Sequence, residues 1–286
     1  MPVKQKGPES HYTCRVFRNY RDRLFSHSRI TAFFLVFSVI FFCISIAASA
    51  DPVGFPGPDI GRSDKYALIY NGPVSAEDCP EAAAAIAESA GLKVRFVSVP
   101  GEIPRLLDHA AVLIIGGTED DMGPLVKAFT PRVANSIKAY LRKGGRYLGI
   151  CGGGFMASTG WYEGSERMKG LGIIPAATSV FQDSFEAKIL PVKWMGKTHP
   201  MFFKAGPDFH LTKSPEAVHI VATYSDGSIA ALMSTYGKGR VAVCGPHPEA
   251  RESWKDDAAN GDSWVSSTDL AVRFLKDLLS DRPLEK

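Results

Sequence analysis

The sequence predicts an α/β domain with a doubly wound, mostly parallel sheet and an antiparallel β extension, preceded by an N-terminal hydrophobic helix. Three observations lead there. Short apolar runs alternate with helical segments between residues 66 and 150, residues 176–235 turn β-rich, and residues 30–50 hold no formal charge. Wholly apolar strands divided by helices are the pattern of parallel strands buried on both faces and joined by right-handed crossovers. The 286 residues are 45% apolar and 22% charged, which excludes collagen-like, coiled-coil and wholly disordered chains.

Residues 1–50 read as a signal peptide or a membrane anchor. They carry seven Lys/Arg against Glu9 and Asp22, and the uncharged run follows that basic segment. As a helix the run would be ~31 Å long, enough to cross a hydrocarbon core. The positive-inside rule then leaves the N-terminus in the cytoplasm and exports the body, making it periplasmic or otherwise extracytoplasmic. Ala48-Ser49-Ala50 is a small-x-small cleavage pattern and favours a signal peptide. The long basic segment and long apolar run favour an uncleaved anchor, in which case this segment is the membrane contact. The rest of the chain holds 26 basic and 28 acidic side chains, so no clustered basic face and no nucleic-acid partner is expected.

Residues 51–63 form a Pro/Gly-rich linker, and 64–286 suit one domain. Tyr66–Tyr70 is the first strand, followed by a helix with Pro80 near its start and Gly91 after its end. Val94–Val99 and Ala110–Ile115 are the next strands. Pro131 opens a helix to Lys143, stopped by Gly144-Gly145, and Arg146–Ile150 is the strand after it. Phe185–Val192, Val218–Tyr224 and Ile229–Met233 form the extension. Val241–Cys244 is the last strand and Asp269–Leu279 the closing helix. Gly237-Lys238-Gly239-Arg240 reads as a hairpin turn. The body keeps only Cys79, Cys151 and Cys244, which is no disulfide framework and has no metal-site spacing, so neither a metal nor another cofactor is expected.

Gly149-Ile150-Cys151-Gly152-Gly153-Gly154 stands where a buried strand ends and a helix begins, the cysteine form of a nucleophile elbow. A sharp turn would hold the sulfur exposed, and only small neighbours let the chain approach itself that closely. The helix start behind it favours a thiolate. The alternatives are a Gly-rich turn with an incidental Cys or a phosphate-cradling loop, though the Rossmann and P-loop spacings are missing. After the last strand comes Cys244-Gly245-Pro246-His247-Pro248-Glu249. In extended chain His247 and Glu249 share a face, so the carboxylate can orient the imidazole while its other nitrogen meets the thiol. A third strand end, Ile115-Gly116-Gly117-Thr118, can aim a backbone N–H at a reacting carbonyl oxygen, or can be a simple turn. His109 ends a short helix, His199 lies in a loop before Pro200, and His210 and His219 lie in the β-rich region. Trp161-Tyr162 can wall a pocket or belong to the core, and Asn71 and Glu119 can line the crevice or serve turns.

In this order the three motifs resemble the class I glutamine amidotransferase-like superfamily, a flavodoxin-like fold. Within it, Tyr147–Gly154, Ile69–Pro73 and Ile114–Gly117 are similar to the branch formed by the N-terminal domain of biotin-protein ligases and its stand-alone relatives. The resemblance covers most of residues 65–250. It implies a Cys151/His247/Glu249 triad, with the Gly117 and Gly152 backbone N–H groups as the oxyanion hole. Glutamine-using amidotransferases usually show Cys-x-Gly-x-Gln; Phe155 stands at that Gln position here, which weighs against glutamine as substrate. The reading is an exported thiol-dependent amide hydrolase of a small-molecule or peptide-like substrate. The alternatives are a non-catalytic module that holds a ligand in the same crevice and a redox protein whose Cys151 is oxidised. Oligomeric state is not legible.

Overall fold

The computed structural model describes residues 65–212 and 218–284. The leader, anchor and linker expectations for residues 1–63 lie outside the described residues. The elements run β1 (Tyr66–Tyr70), α1 (Cys79–Ser89), β2 (Lys93–Val97), α2 (Ile103–Leu106), β3 (Ala110–Ile115), α3 (Gly123–Ala128), α4 (Pro131–Arg142), β4 (Arg146–Ile150) and α5 (Gly152–Ala157). They continue with β5 (Trp161–Glu163), β6 (Glu166–Met168), β7 (Ala176–Val180), β8 (Lys188–Trp194), β9 (Lys197–Phe203), β10 (Pro207–Leu211), β11 (Val218–Thr223), β12 (Ile229–Tyr236), β13 (Gly239–Cys244) and α6 (Thr268–Leu279).

The described strands form an eleven-stranded mixed sheet and the small β5-β6 hairpin. The order β2-β1-β3-β4-β13 is parallel throughout, and the sheet continues antiparallel through β12, β11, β8 and β9. Strands β10 and β7 join antiparallel beside β12. The parallel character expected of most of the sheet holds for these five strands. The antiparallel share is larger because β7, β9 and β10 were hidden in segments of mixed polarity. Ala67–Ile69 and Val112–Ile115 are fully buried, as strands covered on both faces must be. Ala83 and Ile86 of α1 pack with Phe274 and Leu278 of α6 in one core. Val133, Ile137 and Leu141 of α4, one stripe at helical spacing, pack in the other.

Local chemistry sets the element ends. Pro131 fits the first turn of α4, where its missing N–H is no loss, and Gly144 follows the helix at φ 108°. Strand β2 stops at Val97 rather than Val99, because Pro100 starts a 3-10 turn. β8 begins at Lys188 rather than Phe185, after a turn in which Gln182 and Asp183 take φ 56° and 48°. His199 lies in β9 and not in a loop, with Pro200 opposite Pro191. Strand β9 ends the sheet's path, and an edge tolerates proline. The β12-β13 hairpin turns through Gly237 and Lys238, with Tyr236 paired to Gly239.

The elbow glycines are demanded by contact. A Cβ on Gly153 would strike the Ile115 carbonyl oxygen, with the Ile115 carbonyl carbon at 2.8 Å, and one on Gly152 would strike Thr118. Gly153→Ala is therefore expected to lower stability by about 1–3 kcal/mol, the range for forcing volume into a packed site. Gly101→Ala, where no atom lies within 4 Å, should stay within about 0.5 kcal/mol of the parent. Urea denaturation of the two variants measures both.

Candidate active site

Cys151 is the first residue beyond β4, at φ 51° and ψ −106°, and α5 starts at the next residue. A side chain held in that region costs about 1–3 kcal/mol and persists only where surrounding contacts fix it. Here the Cys151 N–H donates to the Cys244 carbonyl at 2.8 Å, and the Gly153 N–H donates to the Gly116 carbonyl at 3.1 Å. The Cys151 thiol reaches the Lys204 carbonyl oxygen at 3.6 Å.

His247 comes from the loop after β13, the parallel neighbour of β4. Its backbone N–H donates to the Phe202 carbonyl at 2.8 Å, which ties the loop to β9. Its Nδ1 lies 2.9 Å from Glu249 Oε1, and both side chains are buried. The two side chains meet, but through a turn rather than the extended chain expected, since the Ala250 N–H donates to the His247 carbonyl at 3.2 Å. Glu249 Oε2 has no hydrogen-bond partner. The imidazole packs edge-to-face against Phe202 and Trp254, with ring centroids 5.8 Å and 5.5 Å away, and these two rings also meet each other at 5.4 Å. Burial alone would push the imidazole toward neutrality. The Glu249 carboxylate and the charge and hydrogen bond of Cys151 outweigh it and raise the pKa to about 10.

A cavity of about 400 Å³ holds these groups. Cys151, His247, Gly117 and Gly152 all line it, while Glu249 lies behind the imidazole. Gly152 opens α5, and the first N–H groups of a helix lack intrahelical partners. Gly117 lies against both Cys79 and His247: a Cβ there would lie 2.7 Å from the Cys79 sulfur and 3.0 Å from His247 Cε1. Cys79, Phe202, Lys204 and Trp254 also line the cavity and were not anticipated. Burial pushes the Cys79 thiol up, and the charges of Glu249 and Cys151 add to the effect. The three described cysteines are free and buried.

Trp161 and Tyr162 wall the cavity and Glu119 lines it; Asn71 does not. Phe155 packs against Trp161 at 5.5 Å, filling that wall with apolar surface. His109 closes a 3-10 turn, and His210 and His219 lie in β10 and β11. His210 belongs to a surface cluster in which one nitrogen, Nε2, meets both Ser179 Oγ at 2.9 Å and Asp208 Oδ1 at 3.2 Å. A relay needs the two ring nitrogens to face different partners, so this cluster does not activate Ser179. Among the described residues no group of three or more His, Cys, Asp or Glu is placed to hold a metal ion.

Residues 82–190 match the family model of a CobB/CobQ-like glutamine amidotransferase domain. That stretch contains Gly117, Cys151 and Gly152 and ends before His247. Cobyric acid synthases from two strains of Dehalococcoides mccartyi are each 28% identical over an alignment of 178 residues that covers 52% of this chain. The match spans 34% of the length of those relatives. A solved glutamine amidotransferase gives a TM-score of 0.51 at 18% identity, covering 74% of this chain and 98% of its own. The fold is amidotransferase-like, and within it residues 82–190 are similar to the CobB/CobQ-like glutamine amidotransferase domain.

Proposed function

We propose that the chain is a thiol-dependent amide hydrolase with Cys151 as nucleophile, His247 as general acid–base and Glu249 as the residue that orients it. The observation that carries this reading is the strained Cys151 beside a buried imidazole whose Nδ1 is 2.9 Å from a carboxylate. The finer resemblance, to the biotin-protein ligase N-terminal domain, belongs to the same reading and rests on Tyr147–Gly154. Phe155 supports a substrate other than glutamine, because an apolar ring offers no hydrogen bond to a carboxamide.

In this mechanism the Cys151 thiolate adds to the amide carbonyl carbon, and the oxyanion forms beside the Gly152 N–H. The Gly117 N–H, in the same cavity wall, is the second donor. Collapse breaks the C–N bond as the His247 imidazolium gives its Nε2 proton to the leaving amine, leaving a thioester. The neutral imidazole then takes a proton from water as the water adds to the thioester. Collapse of that adduct returns the Cys151 thiolate and releases the acid. Export of residues 64–286 as one domain, behind a cleaved or retained 1–50 segment, completes the proposal.

Rapid alkylation of Cys151 by iodoacetamide, followed by peptide mass spectrometry, is the first expected result. His247→Ala should reduce it to the rate of a free thiol. An unaltered, slow rate in both proteins would instead favour the ligand-holding module. Once a substrate is found from amide and peptide libraries, Glu249→Gln should lose roughly fifty-fold less activity than Cys151→Ala or His247→Ala.

The imidazole should remain protonated through neutral pH, with Glu249→Gln moving its pKa down toward the ordinary 6.5. NMR titration of the His247 ring reads this directly. Because the folded value is raised, the associated stability is complete below pH 6.5 and is lost as pH rises through about 10. Urea denaturation across that window should show the loss in the parent protein and a smaller one in Glu249→Gln.

For export, a reporter active only outside the cytoplasm, fused after Gly61, should give signal. A reporter silent there and active only in its cytoplasmic form would reject it.

A further inference from the structure

The cavity has a strong charge asymmetry that the hydrolase reading does not use. Glu77, Asp78, Glu119, Asp120, Glu163 and Asp257 line it, against Lys204 as the one lysine or arginine among its lining residues. Asp78 is 3.6 Å from Arg251, and Glu163 accepts the Trp161 indole N–H at 3.1 Å. Among the described residues, Glu77, Glu119, Asp120 and Asp257 have no ion pair, and all four are exposed. Carboxylates alone would make an ordinary solvated rim. These surround a cavity with a thiol and an imidazole in its wall, and two exposed aromatic rings, Tyr162 and Phe185, stand in the same lining. Unpaired carboxylates beside exposed aromatic faces suit one ligand chemistry, an ammonium or guanidinium group, which both attract.

We infer that the amide hydrolysed at Cys151 carries a cationic group beyond the scissile bond, as amides of lysine, arginine or alkyl diamines do. The inference rests on the hydrolase reading and adds the charge of the substrate. The amide carbonyl meets Cys151 and the cation stays among the rim carboxylates and rings, so it need not be stripped of water. The acidic field also raises the local concentration of such molecules and repels anionic amides.

Two thiol reagents of equal reactive group and opposite charge test this without a known substrate. They are the trimethylammonioethyl and sulfonatoethyl methanethiosulfonates. Each transfers its alkylthio group to a thiolate as a disulfide and releases methanesulfinate. The rate ratio at Cys151, cation over anion, is read by peptide mass spectrometry and divided by the ratio for 2-mercaptoethanol. The expected value is ~10 or more at low ionic strength, falling toward one in high salt. Glu119→Gln with Asp120→Asn should lower it, whereas Glu88→Gln with Asp108→Asn, which removes charge away from the cavity, should not. A normalised ratio of one or below, or one that both double variants lower equally, overturns the inference. The hydrolase reading fails separately, when Cys151 reacts no faster than a free thiol with either reagent and His247→Ala changes nothing. With an activated Cys151, lysine and arginine amides should also be cleaved in preference to glutamate amides.

Discussion

The parallel ladder between β4 and β13 decides where the chemistry can occur. It pairs Ile150 with Cys244, and the Cys151 N–H then closes on the Cys244 carbonyl at 2.8 Å. Cys151 is thus the first residue past one strand and His247 the third past its neighbour, although 95 residues of chain lie between them. Because side chains alternate along a strand, a slip of one residue would turn Ile150 and Cys244 to opposite faces and carry the His-Pro-Glu loop away. The second tether, His247 N–H to the Phe202 carbonyl, fixes the loop against the antiparallel half of the sheet. The antiparallel extension is therefore part of the site's scaffold, since it supplies Phe202 and Lys204 and the clamp on His247.

The opening of the crevice follows the general rule for doubly wound sheets, in which ligands gather at the carboxyl ends of the parallel strands. Gly117 follows β3, Cys151 follows β4 and His247 follows β13. These three were legible because each motif directly follows an apolar run. The closeness of His247 and Glu249 in sequence was legible, but the turn at Pro248-Glu249 that brings them into contact was not. Cys79 was not legible, since it stands nine residues after β1 and reaches the cavity only because α1 begins there. Its signal was its position at the start of the first crossover, which points back to the same sheet edge. Phe202 and Trp254 carried no signal, because their three-ring cluster with His247 is a product of tertiary packing.

The same division runs through the fold. Strands buried on both faces, such as β1, β3 and β4, were read to the residue because nothing but apolar side chains fits there. Strands β7 and β10 pair with each other and are polar on one side, with Ser179 hydrogen-bonded to Asp208 at 2.7 Å. Their alternation is short and interrupted, so their pairing depends on partners that the local sequence does not reveal. The assignment of His199 to a loop failed for a related reason. A proline inside a strand is excluded only from the interior of a sheet, and β9 ends the path.

Three departures from local rules meet at one cavity. Cys151 holds a backbone conformation that an L-residue avoids, His247 is a buried imidazole held protonated, and Glu249 keeps one buried oxygen without a partner. The backbone strain and the orphaned oxygen oppose folding, and a buried ion pair often stabilises less than the apolar contacts that could replace it. In α1 and α4 of the described parallel half local preference and burial agree, in the alanine face of one and the Val133/Ile137/Leu141 stripe of the other, whereas Val74 takes φ 73° after β1 and Phe96 of β2 is exposed. A fold under no demand other than stability would place a hydrophobic residue where Glu249 stands. It would also relax the turn at Cys151, which is instead held by the close contacts of the glycines at 149, 152 and 153. The strain at Cys151 and the unmatched carboxylate at Glu249 act on the same imidazole–thiol pair from opposite sides. That convergence gives the hydrolase reading its physical basis, because the two unfavourable features have no common consequence except to set the geometry and charge of that pair.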